Sequence, residues 1–498
     1  MAGDQAKRPS YEELASLVVA QAETIEEQAK TIDGLSATNL AQAEAIERLE
    51  ARVGELERRL GQNSGNSGLP PSRDPAAERQ RQAEERAKRS GSQKRSRGKQ
   101  RGTKGTTLQM SANPDVVVDH RPERCGGCGE ALAEAADRGY DARQVVDLPE
   151  VRSITTEHRA HRYGCACGHE TTAAFPDEVR APVSYGPRVR AIVAYLLGRQ
   201  HIPNRRVAET MDDLFGLAIS GGAIDAIYAE AGRRLRGFVA ALVALLRTLP
   251  VLHADETTDR IGTRNCWMHV VSTGLYTLIH ASVTRGTAAI EEAGVLPGYT
   301  GVIVHDRLAL YWRLKRAKHG LCAAHLLRDL ADVALVSSQA AWASGLAALL
   351  VEINNACEQA RVRGLRQLSP ARQRGFAERY DALVARGLAV NPEPKYWKRD
   401  HLERRSFNLV TAFKTHRQSI LRYMYNLEVG FTNNQAERDL RPTKLHRKIS
   451  GCFRSNAGAE RFANLRTYLS TTRKNGVSAI DALTRLFEGD PWMPPQPT

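Results

Sequence analysis

From Leu14 a four-three spacing runs through Leu14, Val18, Gln21, Ile25, Gln28, Ile32, Leu35, Asn39, Gln42, Ile46, Leu49, Val53, Leu56 and Leu60, ten of the fourteen apolar. A 3.5-residue period sustained this long predicts a coiled coil. Asn39 at the seam would fix register and strand number, with a parallel dimer as the favoured assembly. The alternative is a long solvated helix packed on its own chain, because Gln21, Gln28 and Gln42 dilute the seam. The Gly-, Ser- and Asn-rich residues 61–68 end the helix, and Pro70 and Pro71 close the break.

Further on the period changes. Residues 144–148 and 154–163 read as strands of a small ribbon. From Gly186 to Leu235 the pattern is helical, broken at Phe215-Gly216 and resuming after Ser220, a layout that resembles a helix-turn-helix. Its second helix carries Arg233, Arg234 and Arg236 at the far end and little base-reading chemistry at its start, so structural helices compete with DNA recognition here. An apolar run, Val251 to Ala254, ends in Asp255 and Glu256. Trp267–Ser272 and Tyr276–His280 read as a hairpin turning at Thr273-Gly274-Leu275, with a helix near Thr287 to Ala293 and a strand, Gly301 to His305, delivering Asp306. That helix supplies the crossover that a mixed sheet requires. Residues 323–386 are mostly helical, and Asn433-Asn434-Gln435-Ala436-Glu437-Arg438 reads as a helix start whose Asn side chains are available to the orphan amides.

Length and charge narrow the class. A chain of 498 residues forms several domains, and Lys plus Arg outnumber Asp plus Glu by 71 to 56. A pI near 9.6 points to a polyanionic partner, with DNA, RNA and anionic membrane all open on charge alone. No apolar run nears the ~20 residues of a membrane span and Met1 opens no signal peptide, so a cytoplasmic protein is expected. Between Ala76 and Gly105 eleven Lys or Arg face three acids, including Lys94, Arg95, Arg97, Lys99 and Arg101. Such an arm is suited to neutralising phosphates without choosing sequence, or to keeping the protein soluble.

Four of the eight cysteines fall in two tight pairs, Cys125/Cys128 and Cys165/Cys167, flanked by glycines. Four thiolates so arranged suit one structural Zn²⁺ in a ribbon-like module, with His169 a substitute ligand and a redox pair or free thiols the alternatives. Asp255 and Asp306 each end a β-type run, and those strands side by side would bring the two acids together. Glu437 on a helix can face them. Three converging carboxylates repel one another unless cations lie between, and hard oxygen donors suit Mg²⁺ or Mn²⁺. Two ions about 4 Å apart would support in-line displacement at phosphorus. Ordinary solvated turn acids are the rival explanation. Glu256 and Asp259 are read as bystanders, because strand alternation turns Glu256 away from Asp255.

In the order they stand, His253-Ala254-Asp255-Glu256-Thr257, Val304-His305-Asp306 with Tyr311, Leu321-Cys322-Ala323-Ala324-His325-Leu326-Leu327-Arg328-Asp329 and Asn433 to Arg438 resemble IS66-type transposases over nearly the whole chain. The resemblance implies an α/β multidomain protein with a ribonuclease H-like core and a D, D, E triad mapping onto Asp255, Asp306 and Glu437. Expected boundaries are a coiled coil at 1–62, a flexible basic linker at 63–110, a zinc ribbon-like module at 111–178 and a helical, helix-turn-helix-like segment at 179–248. A catalytic domain follows at 249–445, with a helical insertion about 323–430, and then a C-terminal helical segment and tail at 446–498. Cys322 and His325 match a C-x-x-H pair that relatives hold beside the active site, which implies positioning, with buried packing the alternative. Lys444 lies two turns after Glu437 on the same face, where relatives set a basic residue against the DNA end; Arg438, Arg441, Arg447, Lys448 and Arg454 extend that basic track.

The expected activity is cleavage at the ends of an insertion sequence with two Mg²⁺ or Mn²⁺, then strand transfer of the freed 3′ hydroxyl into target DNA. The rivals are a nuclease of the same fold without strand transfer and a DNA-binding regulator with an inert core. Expected partners are double-stranded DNA, both element ends and target, and at least one more copy of this chain. Dependence on accessory proteins of the same element stays open. Expected location is the bacterial cytoplasm, at the nucleoid when DNA is bound.

Overall fold

The computed structural model describes residues 11–61, 108–133, 137–176, 179, 181–393 and 402–495, and the chain divides into two units. Tyr11–Gly61 is one 51-residue helix, α1. Its expected seam residues Val18, Ile25, Ile32, Leu49 and Leu56 are exposed. The basic arm from Lys94 to Arg101 lies outside the described residues.

One unit holds residues 76–184 and 205–224. Its only regular pairing among the described residues joins β1 (Arg162–Gly164) to β2 (Glu170–Thr172), antiparallel, with Tyr163 opposite Thr171. The strands expected at 144–148 and 154–161 do not form. Val145, Leu148 and Ile154 are 93%, 86% and 92% exposed, so these stretches have neither a partner strand nor a face to bury, and β propensity alone does not hold a strand.

In the other unit, α2 (Pro187–Gly198) begins with proline at its first turn, where the missing N–H costs nothing. Helix α3 (Asn204–Phe215) ends at Gly216, whose φ of 57° few other residues adopt without strain, and α3 from Arg205 belongs to the smaller unit. Then come α4 (Gly221–Arg234) and α5 (Arg236–Thr248). Arg234 bonds to Glu230 at 2.8 Å and Arg190 reaches the same carboxylate at 2.8 Å, so part of the basic cluster ending α4 is engaged within the protein.

Strands β3 (Val251–Ile261), β4 (Arg264–Ser272) and β5 (Thr277–Ser282), helix α6 (Thr287–Ala293), and strands β6 (Val302–His305) and β7 (Lys318–Leu321) build a mixed five-stranded sheet in the order β5-β4-β3-β6-β7. The first three are antiparallel; β6 and β7 run parallel to β3 and to each other. Strand β3 does not stop at its acids, as its apolar pattern suggested. Antiparallel pairing with β4 continues to Ile261 opposite Arg264 and carries Asp255 into mid-strand.

Helices α7 (Ala323–Val333), α8 (Ser337–Val362), α9 (Pro370–Val390), α10 (Leu402–Thr415), α11 (Arg417–Ile420) and α12 (Arg422–Tyr425) follow. Leu326, Leu330, Trp342, Leu350 and Phe413 form one buried core with Val302 and Val304 of β6, which seats these helices on the parallel side of the sheet. The chain then returns as α13 (Asn434–Ser450), α14 (Asn456–Lys474) and α15 (Ala479–Glu488). Ala436, Leu440, Phe462 and Ala463 pack on Met268, Val270 and Ile279 of the antiparallel strands.

Residues beyond 446 therefore do not stand apart from the sheet. The Ile279 amide donates to Thr467 Oγ1 at 2.8 Å, and that hydroxyl donates back to the Ile279 carbonyl at 3.3 Å. Thr471 repeats the exchange with Thr277 at 3.1 Å in both directions. Two threonines one helical turn apart thus satisfy the edge of β5 that would otherwise invite another strand. Among the described residues no helix is long and apolar enough to cross a membrane.

Candidate active site

Parallel register places the first two acids. Leu252 is opposite Ile303 and His253 opposite Val304, so Asp255 and Asp306 each stand two residues past the last registered pair, and the period of two turns them to the same face. After β6, Arg307 takes a left-handed φ of 78° and pairs with Asp329, while Asp306 Oδ1 accepts the Leu308 amide at 3.0 Å. Burial, then the charges of Glu256, Asp306 and Glu437, push the Asp255 carboxyl up to about 7 against the opposing Glu256 amide.

Glu256 is not idle. Its Oε1 accepts two hydrogen bonds from Arg285, at 2.7 and 3.1 Å, and its Oε2 accepts the Tyr311 hydroxyl at 2.9 Å. Its side chain is 2% exposed. Tyr311 is buried within the field of Asp255 and Asp306 as well, and burial followed by these acids holds its phenol far above its usual range. Glu256 is therefore occupied as an anchor for Tyr311. Asp259, by contrast, is buried beside Arg447 with one oxygen on the Arg260 amide at 2.7 Å.

The third acid arrives through Asn433. Its side chain does not cap α13, contrary to the expected helix start. Instead Nδ2 donates to the Ala254 carbonyl at 2.8 Å, Oδ1 meets His253 Nδ1 at 3.1 Å, and the backbone amide donates to Cys322 Sγ at 3.1 Å. This one buried residue ties β3, the start of α7 and the first turn of α13. The approach is close enough that a Cβ on Gly430 would come 3.1 Å from the His253 ring. Lys474 locks α13 from the other side, bonding Asp439 at 2.7 Å and the Thr273 carbonyl at 2.8 Å.

Cys322 Sγ, His325 and Glu437 lie with donor atoms within 4.8 Å of one another, the one such cluster of three among the described residues. His325 Nδ1 and Glu437 Oε1, 3.9 Å apart, are buried without hydrogen-bond partners. Burial raises the Cys322 thiol although it accepts the Asn433, His325 and Ala324 amides. Asp306 and Glu437 are close enough to raise the charge cost of Asp255, but the three acids are not gathered within 4.8 Å. The orphaned Glu437 oxygen faces His325, and the charge of Glu437 reaches Asp255, which is driven up to about 7; carboxylates so placed are the hard donors that suit a divalent cation.

Of the expected DNA-contact residues, Arg438, Arg441, Lys444 and Lys448 line one cavity along α13. Arg447 points elsewhere, toward Asp259 and Cys266. The two cysteine pairs each form a tight turn, with the Gly129 amide on the Cys125 carbonyl and the Gly168 amide on the Cys165 carbonyl, both 2.9 Å. Hydrogen bonds from the amides and thiol of each turn lower Cys125 and Cys165, chemistry suited to a soft metal. The four sulfurs are not gathered into one cluster. Arg285, Lys474 and Arg466 escaped the sequence reading because their partners lie far away along the chain; only Tyr311 was flagged, through the resemblance.

Comparison with known proteins follows the same outline. Residues 182–461 match the family model described as Transposase IS66 family. Residues 14–109 match a family of unknown function, DUF6444. An uncharacterized protein, y4qI, of Sinorhizobium fredii (strain NBRC 101917 / NGR234) is 27% identical over 225 residues, 41% of this chain. The chain spans 40% of that relative's length.

Proposed function

The chain belongs to the IS66 transposase family, and from that premise we propose that it cuts DNA at the ends of its element and joins the freed 3′ hydroxyl to target DNA at one site, Asp255, Asp306 and Glu437. The observation that supports this reading is the shared register of Asp255 in β3 and Asp306 just past β6, with Asn433 tying the first turn of the Glu437 helix to the Ala254 carbonyl. The mixed sheet flanked by helices, with its helical excursion between the second and third acids, supports a ribonuclease H-like core. Two Mg²⁺ or Mn²⁺ held by these acids would stabilise charge on the phosphate oxygens and make a bound water more acidic.

The chain's own residues supply position and field. Asp255, Asp306 and Glu437 present carboxyl oxygens at fixed points, and Arg307, turned by its positive φ and tied to Asp329, fixes the loop after Asp306. Tyr311 donates to Glu256 and so braces the strand pair beside Asp255. Cys322 positions Asn433, and His325 faces Glu437 as a positioning residue. Phosphoryl transfer asks for little covalent participation by protein groups, so such positioning and electrostatics carry the rate.

Around this core, α1 with its exposed apolar seam is suited to pairing with a second copy; light scattering on the full chain showing a monomer would sink that assignment. Zn²⁺ held by Cys125, Cys128, Cys165 and Cys167 would stabilise the smaller unit. The basic arm with Lys94, Arg95, Arg97, Lys99 and Arg101 adds affinity for duplex DNA. The deciding experiment incubates the purified protein with end-bearing DNA and Mg²⁺ and sizes the products: joined DNA is expected, whereas nicks alone would leave a nuclease, and intact DNA a regulator.

A further inference from the structure

Two helix starts meet beside the third acid. Cys322 stands between β7 and α7 with its backbone amide on the His305 carbonyl at 2.9 Å, and the next amide, of Ala323, donates to the Phe431 carbonyl at 3.0 Å. Asn433 then gives its own amide to Cys322 Sγ at 3.1 Å. These bonds lock the start of α7 against the chain entering α13, so Cys322 and Glu437 are placed by backbone and not by their own side chains. His325 follows three residues after Cys322, its amide on the Cys322 carbonyl at 3.2 Å, a turn that sets sulfur and imidazole on one side.

The sulfur, a ring nitrogen of His325 and a carboxylate oxygen of Glu437 all lie within 4.8 Å of one another. His325 Nδ1 and Glu437 Oε1 stand 3.9 Å apart, too far for a hydrogen bond, and both are buried with no other hydrogen-bond partner. Two polar atoms left facing each other in this way carry a desolvation cost that nothing in the chain repays. Bonds of ~2.0 Å to nitrogen and oxygen and ~2.3 Å to sulfur, at tetrahedral angles, leave donor atoms ~3.3–3.6 Å apart, so an ion asks the His325–Glu437 pair to close by roughly 0.5 Å.

We propose that Cys322, His325 and Glu437 hold one Zn²⁺, with water at the fourth position. One sulfur, one nitrogen and one oxygen form a borderline donor set, which suits Zn²⁺ and not the oxygen-seeking Mg²⁺. The Asn433 amide on Sγ supplies the supporting hydrogen bond that orients a ligand. The side chains of His325 and Glu437 are each 33% exposed, which leaves an ion a way in. A carboxylate has two oxygens, so Glu437 can hold Zn²⁺ with one and serve Asp255 and Asp306 with the other. Zn²⁺ then fixes the direction in which the third acid points. That link to cleavage rests on the reading of Asp255, Asp306 and Glu437 as the cleavage site; the zinc chemistry does not.

Full-length protein is dialysed against a chelator, titrated with Zn²⁺ in excess Mg²⁺, and its bound zinc counted by metal analysis. His325→Gln, at a partly exposed position, is expected to hold one Zn²⁺ fewer per chain than wild type. Zinc taken up by the cysteine pairs at Cys125 and Cys165 cancels, because both proteins keep them. Cys322→Ser should lose the same ion, with binding weakened more than about 100-fold, the upper end of what disturbing a ligand's supporting partner costs. Metal-free wild type and His325→Gln should melt together, and Zn²⁺ should raise the wild type further. With Co²⁺ as the probe, the difference spectrum between wild type and His325→Gln should carry a thiolate charge-transfer band that Cys322→Ser also lacks.

Equal zinc counts in wild type and both variants overturn the proposal. So does an ion that survives in His325→Gln and Cys322→Ser but is lost in Asp255→Asn, because Zn²⁺ then sits among the acids. Asp255→Asn is expected to keep the wild-type zinc count. Its cleavage products test the catalytic reading separately.

Discussion

Asn433 donates its side-chain amide to the Ala254 carbonyl at 2.8 Å across 179 residues of chain, joining the position before Asp255 to the residue four before Glu437. Both partners are buried, with Asn433 1% exposed. The first and third acids are therefore held by a contact that neither of them makes.

Replacing Asn433 with Asp keeps the shape but removes the donor and sets a carboxylate against a carbonyl. The unmet buried carbonyl is expected to cost about 1–3 kcal/mol of stability, and the misplaced Glu437 about 10²-fold in end cleavage. Thermal melting and product gels read the two effects. A fully active, fully stable Asn433→Asp protein would mean that this tie does not hold the site.

Glu437→Gln is expected to abolish cleavage and joining while DNA affinity stays near wild type, because the amide keeps volume and loses the charge that holds a cation. Asp255→Asn and Asp306→Asn should match it. Gel shift and cleavage assays on one preparation separate the functions, and an active Glu437→Gln protein would show that the ligands are wrongly assigned.

Tyr311→Phe leaves the buried Glu256 carboxylate with Arg285 alone. Loss of one hydrogen bond to a charged group costs about 1.5–3 kcal/mol, and cleavage is expected to fall about tenfold or more as the β3 strand near Asp255 loosens. Glu256→Gln should show a similar fall, short of the complete loss in Asp255→Asn. Rates equal to wild type in both variants would return Glu256 to the bystander role.

Two histidines link stability to pH. Burial holds His446 down to about 4; burial, then Arg466, His446 and Arg199, hold His201 down to about 3. Both are depressed below the ~6.5 of the unfolded chain, so the unfolded state takes up protons first. Their contribution is complete above about pH 6.5 and lost as pH falls toward 4 and 3, at up to about 1.4 kcal/mol per pH unit for each group. His446 stacks on Phe453 with centroids 4.7 Å apart. Denaturant melts from pH 7 to 4.5 are expected to fall less steeply in His446→Leu, and identical slopes would exclude the imidazole as the source.

Zinc content reports on the smaller unit. One Zn²⁺ per chain is expected by metal analysis, falling in Cys128→Ser together with protease resistance of residues 111–178. Unchanged zinc and unchanged digestion would remove these thiols from consideration.

Local periodicity was enough for much of this chain. The turn at Thr273-Gly274-Leu275, helix α6 at Thr287–Ala293, the strand delivering Asp306 and the helices after Ala323 follow from patterns of two and 3.6 residues, and such patterns depend only on neighbours in sequence. Asp255 and Asp306 stood out as candidates because few acids end apolar runs, and Glu437 because it opens a helix. Tertiary structure decided what each side chain then does. Asn433 had a helix of its own to cap and leaves it for the buried Ala254 carbonyl of β3, 179 residues away. β3 outruns its apolar stretch because β4 pairs with it to the end, whereas residues 144–148, also rich in β-forming valine, find no partner. Glu256 is drawn in by Tyr311, 55 residues away, and Arg466 bonds the Gly198 carbonyl, 268 residues away. Buried polar groups take whichever partner the fold brings within 3 Å, and that choice is absent from any single stretch of sequence.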